Sequence, residues 1–297
     1  MPLFPTLLVK PGYRPQAEDT SIEADVFYFT ALRQKSQLWR VERFIQFNQS
    51  TRRLCLAAIN YQDAATSVRL EYLRRRFGAA WNKGGSGDAT FAPIHTAVNV
   101  LGLEGEVVVA DPIALARKIV TILESLSIAY YIGGSVASSL FGESRYTEDL
   151  DLIIELVPMK VQPLLAAFLE ANFYISDLAV AEAVSGRGSS FNVIDHETLE
   201  KADLFVAQTT AFAQSKMQRR VQYPLPDGSK LWMTAPEDIV LQKLVWGRGR
   251  QSEKQWRDVL GVLKLQGDRL DFDYLWYWSV ELGLAAALDQ AFREAGL

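Results

Sequence analysis

Polar and apolar positions alternate with a helical rhythm at both ends of this chain and with a strand rhythm through its middle. After an extended lead over residues 1–20, Ser21 is placed to cap a helix reaching about Gln34, with Ile22, Val26, Phe29 and Leu32 as its apolar stripe. A second helix is expected after Ser36, carried by Leu38, Val41, Ile45, Leu54 and Ile59. Ser67 opens a third, ending in Arg74-Arg75-Arg76 before Phe77-Gly78. The run Asn82-Lys83-Gly84-Gly85-Ser86-Gly87-Asp88 reads as a linker. Residues 91–110 are apolar and fit no period well, with Val107 to Ala110 a candidate strand. Asp111-Pro112 then predicts a helix start, Asp as cap and Pro at the first helical position, running to about Leu126.

Strand patterns dominate next. Ile128 to Ile132 and Asp149 to Leu156 are apolar runs flanking a helix-compatible stretch, and Val161 to Asn172 reads as a helix. Phe191 to Ile194 and Ala202 to Ala207 read as strands, and Pro224 to Gly228 as a turn joining further strands. From Pro236 the pattern is helical again, predicting segments 236–247, 252–265, 271–282 and a last one near 283–294. Helices at both ends around a strand-rich middle define an α+β chain. The expected boundaries are a helical domain and linker over 1–90, a core over 91–234 and a helical part of the same module over 235–297.

Two clusters change this picture from fold to chemistry. Ile132-Gly133-Gly134-Ser135 and Asp149-Leu150-Asp151-Leu152 are separated by the 13 residues VASSLFGESRYTE. A strand ending in two glycines exposes backbone N–H groups to which phosphates can come close. Alternation along the second strand puts Asp149 and Asp151 on one face, about 7 Å apart. Paired carboxylates beside such a turn suit Mg²⁺ held against a triphosphate, because Mg²⁺ takes one or two carboxylates plus phosphate oxygens.

The pattern apolar-Gly-Gly-Ser followed by Asp-x-Asp resembles the signature of the polymerase-beta-like nucleotidyltransferase superfamily. The longer text GGSVASSLFGESRYTEDLDL is similar to its AbiEii/AbiGii-type branch, many of whose members are toxins of toxin–antitoxin systems. That similarity continues through FNVID, KADLFV, LPDGSKLWMTAPEDIVLQKL and QWRDVLGVL, about two-thirds of the chain from near residue 112. The resemblance implies an α+β fold with a mixed nucleotidyltransferase-type sheet, flanking helices, a C-terminal helical part and an additional N-terminal helical domain. It implies a Mg²⁺- or Mn²⁺-dependent transfer of an NMP from an NTP to a hydroxyl acceptor, with tRNA or another RNA as one such acceptor. Relatives in the wider superfamily modify protein side chains or aminoglycosides, so a protein or small-molecule acceptor stays open, as does a non-catalytic protein that binds nucleotide or a partner.

Residue by residue, the resemblance gives Asp149 and Asp151 the metal, and Gly133, Gly134 and Ser135 the phosphates. Asp203, in Lys201-Ala202-Asp203-Leu204, is the candidate third carboxylate, either a general base for the attacking hydroxyl or a further metal ligand. Asp195 competes with it but sits before His196-Glu197 and reads as turn chemistry. Lys243 lies among Ile239, Val240 and Leu244, an unusual setting for an idle lysine, and the resemblance makes it phosphate-directed. Asp258, in Gln255-Trp256-Arg257-Asp258, matches the family's C-terminal acidic motif and is placed to orient Lys243 or Arg257; a surface i,i+4 ion pair is the plain alternative. Arg145 has two readings, a phosphate or base contact, or a salt bridge to Glu143 or Glu148. Arg219, Arg220, Arg248 and Arg250 are weaker candidates for an RNA acceptor, read first as solvated charges. Trp232, Trp246, Trp256, Trp276 and Trp278 are expected mostly in the core, with base stacking as the other role.

Composition removes other chemistries. A single cysteine, Cys55, precludes an intramolecular disulfide and a multi-cysteine zinc site. Only His95 and His196 are present, which removes His-rich metal centres and argues against a serine triad. The apolar stretch Leu126 to Gly142 is rich in Ser and Gly and does not read as a membrane span. With no apolar leader in MPLFPTLLVKPGYRPQ, the expected location is the cytoplasm. The net charge of −4 hides an asymmetry: residues 1–85 carry a balance of +6 and the remainder −10. The basic N-terminal part is therefore expected to meet a protein partner or a phosphate backbone, or to be a plain helical domain with solvated arginines.

Overall fold

The computed structural model describes residues 9–58, 111–198, 200–247 and 252–297. The third expected helix, the glycine linker, the Val107 to Ala110 strand, His95, Arg248 and Arg250 lie outside the described residues. In chain order the elements are α1 (Ile22–Arg33), α2 (Gln37–Ala58), α3 (Pro112–Ser125), β1 (Tyr130–Ile132), α4 (Gly134–Phe141), β2 (Leu150–Ile154), α5 (Val161–Glu170), β3 (Phe173–Ile175), α6 (Asp177–Val184), β4 (Ser190–Asp195), β5 (Lys201–Val206), α7 (Ala211–Arg219), β6 (Val221–Pro224), β7 (Lys230–Met233), α8 (Pro236–Trp246), α9 (Glu253–Gln266), α10 (Phe272–Glu281) and α11 (Ala285–Ala295). The protein is α+β with a mixed sheet. No described helix is long and apolar enough to cross a membrane.

Two compact units divide the chain, each assembled from separate stretches: 1–44, 133–145 and 210–297 in the first, 45–132 and 146–209 in the second. In the second unit five strands run in the order β3-β4-β5-β2-β1. β2 and β5 are parallel, while β1, β4 and β3 join antiparallel. Leu150, Leu152 and Ile154 of β2, Ala202 and Leu204 of β5, and Phe191 and Val193 of β4 are all buried. Alternation leaves Asp151, Asp203 and Asn192 on the opposite, half-buried face. α3 starts as the sequence predicts: Asp111 accepts the Ile113 N–H and Pro112 follows. Lys118 on α3 reaches Asp195 at 2.7 Å, and Asp195 also accepts the Glu197 N–H, so this acid does turn and ion-pair work.

The first unit is helical around the β6-β7 hairpin. α9 is its central helix, with Val259, Val262 and Leu263 buried and α1, α4, α8 and α11 packed around it. Gly142 permits the closest of these approaches: a Cβ there would lie 2.8 Å from the Val262 nitrogen and the Ser138 carbonyl oxygen. α1 is capped by Ser21 as expected, but its buried face carries Asp25 beside Phe29 while Ile22 is exposed. Likewise α2 buries Arg40, Val41, Phe44, Asn48 and Arg52 and leaves Leu38 and Leu54 in solvent. Apolar spacing found part of each face, since Phe29 and Val41 are buried, and missed the polar residues with buried partners that occupy the rest.

Tyr274 of α10 donates to Asp238 of α8 at 2.7 Å, Arg219 of α7 pairs with Glu237, and its guanidinium stacks 3.8 Å from the Tyr274 ring. Arg220 lies over Trp232, so neither arginine is simply solvated. Burial pushes the Asp238 carboxyl up to about 6, against the Tyr274 hydrogen bond and the Arg219 and Lys216 charges. Its buried Oδ2 has no hydrogen-bond partner among the described residues, which favours the protonated acid. A folded value above the unfolded one makes this contribution full below about pH 4 and lost as pH rises through about 6. Asp238→Asn is therefore expected to flatten the dependence. Urea unfolding at pH 4.5 and 7.5 should show wild type losing about 2 kcal/mol relative to the variant as pH rises.

Candidate active site

The second unit holds the carboxylates. Asp151 and Asp203 are register partners across the parallel pair β2-β5, and Asn192 is the partner of Asp203 across β5-β4. Three polar side chains thus stand in one row on one face, adjacent strands being about 4.8 Å apart. Asn192 Nδ2 donates to Asp203 Oδ1, and Lys201 Nζ meets Asp203 Oδ2 at 3.1 Å. Asp149 departs from expectation. It is exposed and precedes β2, which begins at Leu150, and its N–H is bonded to the Thr147 hydroxyl at 3.3 Å. It shares a segment with Asp151 but not the strand.

The first unit holds the glycine turn and the cations. Gly133 is the N-cap of α4 and makes no side-chain cap hydrogen bond, while Gly134 adopts φ 56°, a left-handed conformation that glycine tolerates. The first N–H groups of this eight-residue helix therefore have no side-chain cap. Arg145 grips Asp258 with a fork, Nε to Oδ1 at 2.8 Å and Nη2 to Oδ2 at 2.9 Å, and Nη2 also reaches the Ser135 hydroxyl at 2.6 Å. Lys243 Nζ lies 2.8 Å from Asp258 Oδ2, with side chains only 3% and 5% exposed.

This array corrects several expectations. Arg145 pairs with Asp258 rather than Glu143 or Glu148. Glu143 instead takes Arg257, so Asp258 orients Lys243 and Arg145 and leaves Arg257 to its neighbour. Lys243 and Asp258 sit on separate helices, α8 and α9, and form a buried pair, not a surface i,i+4 contact. Burial alone would raise the Asp258 carboxyl, but the Arg145 hydrogen bonds and the Lys243 and Arg145 charges hold it below the usual carboxylate range. Of the tryptophans singled out, only Trp256 is buried; Trp246 and Trp276 are exposed, and Trp246 lies 5.6 Å from Lys243 Nζ.

Arg145 is the less buried cation of the array, 20% exposed, and its fork is not replaceable by an ammonium. Arg145→Lys is expected to lose the second bond to Asp258 and the Ser135 contact together, lowering stability by about 1–2 kcal/mol. Urea midpoints of the two proteins would measure this, and an unchanged midpoint would show that the fork contributes little.

No family model matches the chain, and no curated protein matches it. Solved structures give distant likenesses. The antibiotic-resistance factor ANT(2'')-Ia in solution is 15% identical, covering 61% of this chain and 92% of that one, with TM-score 0.38. An antigenic nucleotidyltransferase-like protein from Paracoccidioides brasiliensis is 19% identical, covering 62% and 92%, with TM-score 0.39. ANT(2")-Ia in complex with adenylyl-2"-tobramycin is 14% identical, covering 58% and 96%, with TM-score 0.40. By its own described residues, the chain is an α+β protein whose mixed sheet carries two acids in register on one face.

Proposed function

We propose that this chain is a divalent-metal-dependent nucleotidyltransferase, moving an NMP from an NTP to a hydroxyl acceptor. The observation that carries the reading is the in-register pair Asp151–Asp203 on the half-buried sheet face, with Asp149 exposed just ahead of β2. Among the described residues no three His, Cys, Asp or Glu side chains are gathered as a metal cluster. Two carboxylates nevertheless fit Mg²⁺, which completes its octahedron with water and substrate phosphate oxygens. Mg²⁺ or Mn²⁺, when bound, would neutralise phosphate charge and polarise the attacking hydroxyl.

The chain's residues take the remaining work. Backbone N–H groups at the start of α4, behind Gly133 and Gly134, bind phosphate oxygens, as helix N-termini do. Arg145 and Ser135, fixed by Asp258, add charge-assisted donors, and Lys243 holds Asp258 in place from its buried side. The acceptor oxygen bonds to the α-phosphorus as the bond to pyrophosphate breaks. Asp203, oriented by Asn192 and Lys201, takes the hydroxyl proton.

The resemblance of the motifs from near residue 112 onward supports an RNA acceptor in a toxin–antitoxin setting. The test incubates the full chain with each labelled NTP, Mg²⁺ and total tRNA, beside the double variant Asp149→Ala/Asp151→Ala. Label reaching RNA from one preferred NTP, and absent with the variant, is the expected result. Label on protein or on an added small-molecule alcohol would keep the transferase reading and replace the acceptor. Label in neither place, with any NTP, would sink it in favour of a binding protein.

A further inference from the structure

The second half of α2 does something that the reaction scheme above leaves unexplained. Asn48 and Arg52 stand four residues apart, hence on one helix face, and only 1% and 2% of each is exposed. Asn48 Oδ1 accepts the N–H of Thr147 at 3.0 Å, and the Thr147 hydroxyl in turn accepts the Asp149 N–H. Arg52 forms a buried ion pair with Glu200, the residue directly ahead of β5. Glu200 is tied again through its backbone carbonyl, which accepts the Asp195 N–H at 2.9 Å. Tyr146 and Glu148 join Arg52 and Glu200 around a small polar cavity at this place.

Such an arrangement is not the cheapest way to stabilise a helix. A buried ion pair recovers little more than its desolvation, and apolar side chains of similar volume often do as well. What it provides is direction, because a buried guanidinium held to Glu200 through Nη1 and a buried amide held to a backbone N–H accept few relative positions of their partners. The positions so restricted lie two residues ahead of Asp149 and three ahead of Asp203. We propose that Asn48 and Arg52 are positioning residues for the acidic pair, with α2 holding the backbone that leads into both acid-bearing strands. The inference rests on the reading of Asp151 as a metal ligand with Asp203 as the acid beside it. It makes the second helix of the N-terminal segment part of the support of the site rather than a detachable regulator.

The burial that makes the clamp firm also raises the Glu200 carboxyl to about 7; the Arg52 charge and hydrogen bond oppose the rise, and Glu148 and Asp195 add to it. Asp111, at the start of α3, also faces this carboxyl.

The test uses the full chain and Mn²⁺ alone, followed by the paramagnetic resonance of the free ion, so no acceptor or turnover is needed. Asp151→Asn serves as the control for the site itself. Removing a supporting partner of a metal ligand typically weakens binding about 10- to 100-fold. Asn48→Ala and the paired replacement Arg52→Met/Glu200→Leu should both show this, with Arg52→Lys nearer wild type and melting temperatures little changed. If both variants bind Mn²⁺ as wild type does while Asp151→Asn does not, the positioning role is wrong and the metal reading survives. If Asp151→Asn binds as wild type does, the metal reading fails and the positioning role falls with it. Should the paired replacement not fold, Asn48→Ala decides the matter by the same criterion.

Discussion

Asp25→Ala should destabilise the protein by about 3–5 kcal/mol, the largest stability effect expected of any single replacement here. Asp25 and Lys264 form an ion pair at 2.6 Å with both side chains only 2% exposed. Lys264 Nζ also donates to the Arg14 carbonyl and lies 4.3 Å from the Tyr13 ring, while the Tyr13 hydroxyl donates to Asp25 at 2.5 Å. Burial already pushes the Lys264 ammonium down, with Asp25 the main group resisting that fall. Removing the carboxylate leaves the ammonium buried with only neutral acceptors, a state that costs far more than the intact pair contributes. The double variant Asp25→Leu/Lys264→Met should recover most of the loss, because the desolvated charge disappears together with its partner. Urea unfolding of the three proteins distinguishes the cases. If the single variant unfolds at the wild-type midpoint, Lys264 has another way to keep or shed its charge.

The same contacts bear on how the N-terminal residues are to be regarded. Asp25 lies on α1 and Lys264 in the middle of α9, while Arg33 donates to the Lys264 carbonyl at 2.8 Å and Gln16 to Glu143. A chain cut after residue 33 would lose Asp25 as surely as the point variant does. Truncation therefore tests stability before it tests regulation, and activity measured on a shortened chain has to be read beside its melting curve.

Much of this architecture was legible in the residues. The C-terminal helices fell within one or two positions of 236–247, 252–265, 271–282 and 283–294, the first three because each joins a proline, serine or aspartate start to an apolar period. β2, β4 and β5 were legible from their apolar runs. β3, with three residues, and α6 and α7, at eight and nine, were too short to establish a period. In the candidate site, the residues were legible but their partners were not. Arg145 and Asp258 are 113 positions apart, and no local pattern joins them. Nor does any local pattern put Asp151 opposite Asp203, since parallel strands are connected through elements of variable length. Asp25, Asn48 and Arg52 went unseen for a different reason. Hydrophobic spacing counts apolar residues, and these three fill inward positions by pairing with groups far away in sequence.

Asp151→Asn should lower nucleotidyl transfer by about a thousandfold or more, the several kcal/mol that a correctly held divalent ion contributes. The replacement is nearly the same shape and keeps β2 in register, so the loss should come without a change in melting temperature. Asp203→Asn tests the neighbouring role separately. If Asp203 accepts the hydroxyl proton, its loss should cost about a hundredfold to ten-thousandfold and leave Mn²⁺ affinity near wild type. If Asp203 is a ligand, Mn²⁺ affinity falls in step with the rate. Asn192 and Lys201 hold Asp203 in either case, so their loss cannot separate the two. The distinction lies in the paired measurement on Asp151 and Asp203: two acids with equal metal defects share the ion, whereas unequal defects divide binding from proton transfer. Wild-type transfer by Asp151→Asn would remove the central group of the proposed reaction, and the row of polar side chains on β2, β5 and β4 would then be a structural feature of the sheet.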